Sequence, residues 1–167
     1  MRILIHDASV LIDLISVGLL ESALSLPYRM ETTDLVKREI VRSGQEAVLD
    51  RVVAARSLDV IRSSNEEIGA IAELHALIPA LSLADCSVLF HATAKNAVVL
   101  SGDTLLRRTA KERSLTVHGT LWIMSELVTN GLVAGVDAAL TLERLMEINR
   151  RLPLSECRKL LTHWRNP

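Results

Sequence analysis

Residues 81–103 have the sequence LSLADCSVLFHATAKNAVVLSGD and form the clearest structural unit of the chain. Ser82 is placed to cap a helix whose Val88, Leu89 and Ala92 lie on one side. The apolar run AVVL then predicts a buried strand, and the polar residues SGD mark where it stops. A helix followed directly by a buried strand is the repeating unit of parallel α/β folds, so this stretch predicts that fold class.

The same alternation extends to both sides of this unit. Apolar runs predict four further strands, at residues 3–5, 28–32, 58–62 and 115–119. Gly18 is expected to separate two short helices, and Gly44 to end the helix that begins near Asp34. We therefore predict a three-layer α/β/α domain with a five-stranded parallel sheet over residues 1–134. Residues 135–167 are predicted to be a helical C-terminal extension, packed on the same domain or at an interface.

Composition limits the classes of function. The 167 residues suit one domain, and aromatic residues are only 2% of them, so the core must consist of Leu, Ile, Val and Ala. A net charge of −1 gives no overall basic field of the kind that marks a bulk nucleic-acid binder. The mean hydropathy of +0.29 is high and favours an apolar self-association surface, so we expect a homodimer.

The sequence also predicts where the protein is found. Cys86 and Cys157 are far apart and form no C-x-x-C motif, as expected for free thiols in a reducing compartment. The N-terminal stretch lacks the features of a signal peptide, and apolar runs are too short to span a membrane. We expect a cytoplasmic protein with no membrane association.

Four acidic residues are predicted to lie near one edge of the sheet. Asp7 and Asp103 each follow a predicted strand, and the carboxyl ends of parallel strands meet at one rim, where ligands bind. Asp85 lies three, four and seven residues before Val88, Leu89 and Ala92, the apolar residues of its helix. This spacing places Asp85 on the same, buried side. Glu39 lies near the apolar edge of its own helix.

Each acid also has an ordinary structural explanation. Asp7 and Asp103 are placed to cap the helices that follow them. Ser82 and Asp85 fit the S-x-x-D capping box, and Glu39 is equally suited to a solvated helix face. Taken singly, these explanations are favoured for Glu39, Asp85 and Asp103, and for Asp7 they are as good as the functional one. The combination of four acids favours a functional site.

The combined pattern resembles that of PIN-domain proteins, the nuclease-like fold found in VapC-type toxins. The matching elements are DASVLI with Asp7 and Ser9, VKREI with Glu39, the 81–103 block with Asp85 and Asp103, and the hydroxyl of Ser101. The resemblance covers roughly residues 1–130, and the tail RRLPLSECRKLL is similar to a less-characterised PIN-like branch. Gly102 and Thr104 stand where many toxins carry polar or acidic residues, which leaves open whether one or two metal ions bind.

This resemblance implies a divalent-metal-dependent ribonuclease, plausible as the toxin of a toxin–antitoxin pair. Clustered carboxylates repel one another unless a cation neutralises them, and such hard oxygen ligands suit Mg²⁺ or Mn²⁺. Asp7, Asp85 and Asp103 are predicted to surround the ion directly or through water. Glu39 is predicted to complete the catalytic pocket and orient a water. Ser9 and Ser101 are predicted to fix the aspartates through hydrogen bonds.

Basic residues near these acids are candidates for binding the RNA backbone. They are Arg107 and Arg108, one turn past the second strand-end acid, and Lys37 and Arg38 beside Glu39. Trp122 and Trp164 are expected to pack in the fold or an interface rather than to stack on bases. An antitoxin protein is expected to cover the rim. The alternative function is a non-catalytic PIN-like module that binds RNA or a protein.

Overall fold

A computed structural model describes residues 2–165 of the chain, so Met1 and residues 166 and 167 of the predicted extension lie outside it. The strands are β1 (Ile3–His6), β2 (Arg29–Thr33), β3 (Asp59–Ile61), β4 (Val98–Leu100) and β5 (Val117–His118). They form one five-stranded sheet in the order β3-β2-β1-β4-β5, and every pairing is parallel. The predicted five-stranded parallel sheet is confirmed.

Helices connect the strands. They are α1 (Ala8–Ser16), α2 (Leu20–Leu24), α3 (Asp34–Glu39), α4 (Ser43–Ala54), α5 (Asn65–Leu77), α6 (Leu83–Lys95), α7 (Thr104–Glu112), α8 (Thr120–Thr129), α9 (Gly135–Ile148) and α10 (Leu154–Arg165). Crossover helices between parallel strands cover the two faces of the sheet, which gives the three-layer α/β/α architecture that was predicted. Within residues 2–165, no helix is long and apolar enough to cross a membrane.

The buried central strands β1 and β4 place the residues that follow them at one rim of the sheet. β1 pairs with β2 on one side and β4 on the other, and His6 aligns with Leu100 at the carboxyl end. The side chains of Leu4, Ile5 and Leu100 are fully buried. The residues that follow β1 and β4 therefore emerge next to each other at one rim of the sheet.

Two glycines were expected to interrupt helices, and one of these expectations is wrong. Gly18 separates α1 from α2 and has a φ of +73°, a conformation that favours glycine. Gly44 instead lies in the first turn of α4. The helix α3 already ends at Glu39, because Ile40 is buried in the core and leaves the helical conformation, with a ψ of 84°.

The C-terminal helices share the hydrophobic core of the rest of the chain. Leu142 and Leu145 of α9, with Cys157 and Trp164 of α10, are buried in the same cluster as the sheet residues. Gly135 allows a close approach of the two helices, since a Cβ there would lie 2.9 Å from the carbonyl oxygen of Trp164. Whether a domain boundary falls at residue 134 stays a prediction.

Candidate functional site

The candidate site lies at the carboxyl ends of β1 and β4. Asp7 follows β1 and begins α1 as its N-cap, while Asp103 follows β4 and begins α7 in the same way. The backbone N–H of Asp7 donates to the carbonyl oxygen of Leu100 at 2.9 Å, which extends the pairing of the strands to the first acid. The predicted convergence of these two strand ends is therefore observed.

The carboxylate of Asp7 is held by hydrogen bonds on both oxygens. Oδ1 accepts from the backbone N–H of Ser9 at 2.5 Å and from its hydroxyl at 2.6 Å, and Oδ2 accepts from the hydroxyl of Ser101. The residue is only 4% exposed. Asp7 is thus fixed in orientation by two serines from different parts of the chain.

The same serines bind the loop that follows β4. The hydroxyl of Ser9 accepts from the N–H of Gly102 at 2.8 Å, and that of Ser101 accepts from the N–H of Asp103 at 2.9 Å. A Cβ on Gly102 would lie 3.1 Å from Oγ of Ser9, so this close approach accounts for a glycine at that position. Asp7 and the 101–103 loop therefore form one hydrogen-bonded unit.

Asp85 takes part in a capping box at the start of α6. Its Oδ2 accepts from the N–H of Ser82 at 2.9 Å, and its own N–H donates to the Ser82 hydroxyl at 3.0 Å. Oδ1 of Asp85 accepts no hydrogen bond within the described residues. The capping role that was predicted as an alternative is confirmed, and it leaves one oxygen of this half-buried carboxylate available.

Asp103 shows the same division of its oxygens. Oδ1 accepts from the N–H of Leu106 at 2.8 Å and so caps α7, whereas Oδ2 accepts no hydrogen bond from any residue in the range 2–165. Because a carboxylate has two oxygens, Asp85 and Asp103 can each cap a helix with one oxygen and bind a ligand with the other.

The charge of Asp7 is controlled by opposing effects. Burial raises the pKa of Asp7, and the hydrogen bonds from Ser101 and Ser9 lower it by favouring the ionised form. The charge of Asp85 raises it again. Asp85 is therefore close enough to Asp7 for the two carboxylates to act on each other.

Glu39 joins this electrostatic group from the end of α3. The side chain is exposed, yet neighbouring protein partly shields its carboxylate, and this raises its pKa most. The charges of Asp85 and Asp7 also raise it, while interaction with the Ser82 hydroxyl lowers it. The structure thus brings Glu39, Asp85 and Asp7 into one region of mutual repulsion.

The chemistry of this donor set fits a hard divalent cation. Carboxylate oxygens are the preferred ligands of Mg²⁺ and Mn²⁺. Burial and, to a smaller extent, repulsion raise the pKa values of Asp7 and Glu39, and a bound cation would favour their ionised forms. Among residues 2–165, no three His, Cys, Asp or Glu side chains are grouped as a ready metal site. The donor type therefore fits, and the identity and coordination of the ion stay predictions.

Arg107, predicted to bind RNA, has a second task. Its Nη1 donates to the carbonyl oxygens of Ser101 at 2.7 Å and His118 at 2.9 Å, and so joins the ends of β4 and β5. A Cβ on Gly119 would lie 3.2 Å from this nitrogen, so glycine leaves room for the guanidinium. Arg107 positions the 101–103 loop, and its contact with phosphate stays a prediction.

The other predicted RNA-binding residues are paired on the surface. The pairs are Lys37 with Asp50 at 2.7 Å, Arg38 with Asp34 at 3.3 Å, and Arg108 with Glu112 at 3.9 Å. Exposed ion pairs of this kind are weak, and phosphate can compete for the cations. Their role in RNA binding is still a prediction.

A cavity of about 540 Å³ opens beside the hydrogen-bonded unit of Asp7. One wall contains a buried network in which Asp13 accepts from the Thr120 hydroxyl at 2.7 Å and from Nδ2 of Asn149 at 3.0 and 3.1 Å. Sequence reasoning missed this network, because Asn149 is 136 residues from Asp13. The only local signal was an acid inside the apolar run of α1.

Comparison with known proteins gives one family match. A family model described as a PIN domain matches residues 3–166. No curated protein gives a significant match. The family match spans the sheet, the acidic rim and both C-terminal helices, so the chain belongs to the PIN-domain family, whose members are generally nucleases or bind RNA.

Proposed function

We propose that this PIN domain is a divalent-metal-dependent endoribonuclease with its reaction centre at Asp7, Glu39, Asp85 and Asp103. The observation that carries the proposal is the Ser101 hydroxyl, which donates to Asp7 and accepts from the backbone of Asp103. This hydroxyl links the carboxylate of the first acid to the backbone of the second at the ends of adjacent parallel strands. Ligand sites in such sheets usually lie at this position.

The acids divide into two proposed roles. Asp7, Asp85 and Asp103 would hold Mg²⁺ or Mn²⁺, with the last two using the oxygens that their helix caps leave available. A bound ion would supply positive charge beside the phosphodiester and lower the pKa of a water. Glu39 is exposed and has a raised pKa, properties that suit a carboxylate which orients that water and accepts its proton.

Ser9 and Ser101 support this arrangement by fixing Asp7 before substrate arrives. Each hydroxyl donates to the carboxylate and accepts from a backbone N–H of the 101–103 loop. A group already held in its working orientation needs no reorganisation during the reaction. The serines are therefore proposed as positioning residues.

The toxin assignment rests on the resemblance to VapC-type toxins and on exposed apolar residues at the rim. Val41 is 75% exposed and lies two residues after Glu39, and Leu83 is 46% exposed and lies two residues before Asp85. An apolar surface beside an acidic centre suits a protein partner that covers it. We propose an antitoxin as that partner.

We also propose that the protein forms a homodimer. Val136 and Leu140 on α9 are exposed and support this proposal.

Cleavage assays test the proposed activity directly. Purified protein is incubated with single-stranded and structured RNA in Mg²⁺, Mn²⁺ or chelator, beside Asp7→Asn and Asp103→Asn. Asp137→Asn, on the exposed start of α9, is the matched control. We expect cleavage that needs metal, falls more than ~100-fold in the two site variants and persists in the control. Cleavage in chelator, or equal rates in all variants, would overturn the metal-carboxylate mechanism.

The second candidate function is a non-catalytic module that binds RNA or protein. It is favoured by the finding that the described residues contain no ready group of three metal-binding side chains. Calorimetric titration with Mn²⁺ separates the two functions. Heat that disappears in Asp7→Asn supports the nuclease, whereas RNA binding without heat or cleavage supports the module.

A further inference from the structure

We propose that the cavity beside Asp7 binds one unpaired nucleotide of the RNA strand, next to the bond that is cut. The cavity lies between the 101–103 loop, the start of α8 and the connector between α9 and α10. This proposal rests on the proposed function, and it adds where in the fold a base next to the cleaved bond is held.

The position of the cavity is the first argument. Ser9, Ser101 and Gly102 line it, and the same residues form the hydrogen-bonded unit that holds Asp7. Ser9, Ser101 and Gly102 therefore border the cavity and also belong to the unit that holds Asp7. A strand with a phosphate at Asp7 would have its neighbouring nucleotide at the cavity.

The size of the cavity is the second argument. Its volume of about 540 Å³ falls within the ~300–1,000 Å³ typical of small-molecule sites. Its wall combines the apolar side chains of Leu121, Leu152 and Leu160 with hydroxyl and amide groups. Such a mixture suits a nucleoside, which has flat apolar faces and polar edges.

An aromatic surface in the wall is the third argument. Trp122 stacks on His118, with ring centroids 4.2 Å apart and planes 7° from parallel, and also contacts Tyr28 at 5.7 Å. These contacts hold the half-buried indole rigidly in the cavity wall. The packing role predicted for Trp122 is thus confirmed. Because the residue also lines the cavity, the proposal gives it a second role as a stacking surface for a base.

The charges in the wall are the fourth argument. Asp13 is satisfied by Thr120 and Asn149, and Glu156 pairs with Lys159 at 3.0 Å. By contrast, the guanidinium of Arg151 makes no direct hydrogen bond or ion pair among the residues that the structure covers, although its charge acts on nearby Asp13. This leaves Arg151 as an exposed cation able to pair with phosphate.

The connector that carries Arg151 is fixed in place. Asn149 donates to Asp13 and accepts from the backbone N–H of Arg151 at 3.0 Å. A preformed site lowers the free-energy cost of ordering protein when a ligand binds.

A base that enters such a cavity must leave the stack of a duplex, so unpaired RNA is the class of substrate that fits.

Fluorescence tests the occupant. The chain has two tryptophans, so Trp164→Phe leaves Trp122 as the only one. In a variant that also carries Asp7→Asn, we expect oligoadenylate to quench this fluorescence and its duplex with oligouridylate to leave it unchanged. Binding of oligoadenylate, seen by anisotropy of labelled RNA, without any change at Trp122 would overturn the proposal.

Paired variants test the cavity without relying on Trp164. Ser125 lines the cavity, so Ser125→Phe fills it and Ser125→Ala is the matched control. Arg151→Gln is compared with Arg150→Gln, whose side chain is exposed and does not line the cavity. We expect Ser125→Phe to weaken oligoadenylate binding about 5- to 150-fold, the range for loss of one stacked base, and Arg151→Gln to weaken it less. Thermal unfolding checks that each variant folds.

The outcomes separate the two proposals. Metal-dependent RNA cleavage that is equal in wild type, Ser125→Phe and Arg151→Gln would overturn the cavity proposal and leave the nuclease intact. Quenching of Trp122 by oligoadenylate, lost in Ser125→Phe, would support the cavity even if wild-type protein cleaves no RNA. In that case only the proposed activity would fail.

Discussion

The hydroxyl of Ser101 donates a hydrogen bond to Oδ2 of Asp7, which lies 94 residues earlier in the chain. The same hydroxyl accepts from the N–H of Asp103. One small side chain therefore links the carboxylate of Asp7 to the backbone of Asp103, two acids that lie at separate strand ends in the sequence.

The first prediction concerns this hydroxyl. In Ser101→Ala we expect kcat/KM for RNA cleavage to fall ~10- to 100-fold, as is typical when a hydrogen bond behind a metal ligand is lost. The hydrogen bond lowers the pKa of Asp7, so its loss should raise that pKa and move the acidic limb of the pH–rate profile to higher pH. Ser57→Ala, in the exposed turn before β3, is the control, and an unmoved profile in Ser101→Ala would contradict the assigned role.

The second prediction concerns repulsion among the acids in metal-free protein. Asp85 raises the pKa values of both Asp7 and Glu39, so Asp85→Asn should lower both. Carboxyl carbon NMR titrations measure this directly. Asp103→Asn is the matched control, since it removes a carboxylate charge at the start of α7 rather than at the start of α6. A larger shift in Asp103→Asn than in Asp85→Asn would mean that the acids are grouped differently.

The third prediction separates position from charge at Arg107. Arg107→Lys keeps the positive charge but loses the planar fork that reaches the carbonyl oxygens of Ser101 and His118. We expect a loss of about 1–3 kcal/mol in the free energy of unfolding, because carbonyls in a partly buried region lose their donor. Denaturant unfolding gives this value. Arg108→Lys, on the exposed side of α7, should be neutral, and equal effects in both variants would refute the positioning role.

The fourth prediction concerns Asp13 and pH. Burial raises the pKa of Asp13, so between its unfolded value near ~4 and its folded value the native state binds more protons than the unfolded state. Stability from this group is therefore lost as pH rises through that window. In Asp13→Asn the decline should be smaller, and each 1 kcal/mol recovered raises Tm by about 2–4 °C for a chain of this size. Thermal unfolding between pH 4 and 7 measures the slope, with Asp137→Asn as control, and an unchanged slope in Asp13→Asn would contradict this account.

Features of the fold that depend on a local sequence pattern could be predicted from the sequence. The apolar runs before Asp7 and Asp103 mark strand ends, and parallel pairing then brings those ends together. By contrast, the end of α3 depends on the burial of Ile40 against distant residues, so Gly44 was a misleading signal. The choice between capping and a functional site for Asp85 could not be made from spacing, since both uses need the same residue at the same position.

The cavity was hidden from sequence reasoning for a different reason. Its wall depends on Asp13 meeting Asn149, a pair whose separation gives no periodic signal. Trp122 has the helical spacing of a core residue and was assigned to packing. Only the tertiary structure shows that it also lines a cavity beside Ser9, Ser101 and Gly102.

The contact between Asp13 and Asn149 has a consequence for the order of synthesis. All four acids of the rim are made by residue 103, whereas the connector that closes the cavity follows residue 148. At about 5–20 residues per second, translation takes on the order of a few seconds to cover that interval. A growing chain therefore carries its complete set of acids before it has the cavity that would select a substrate.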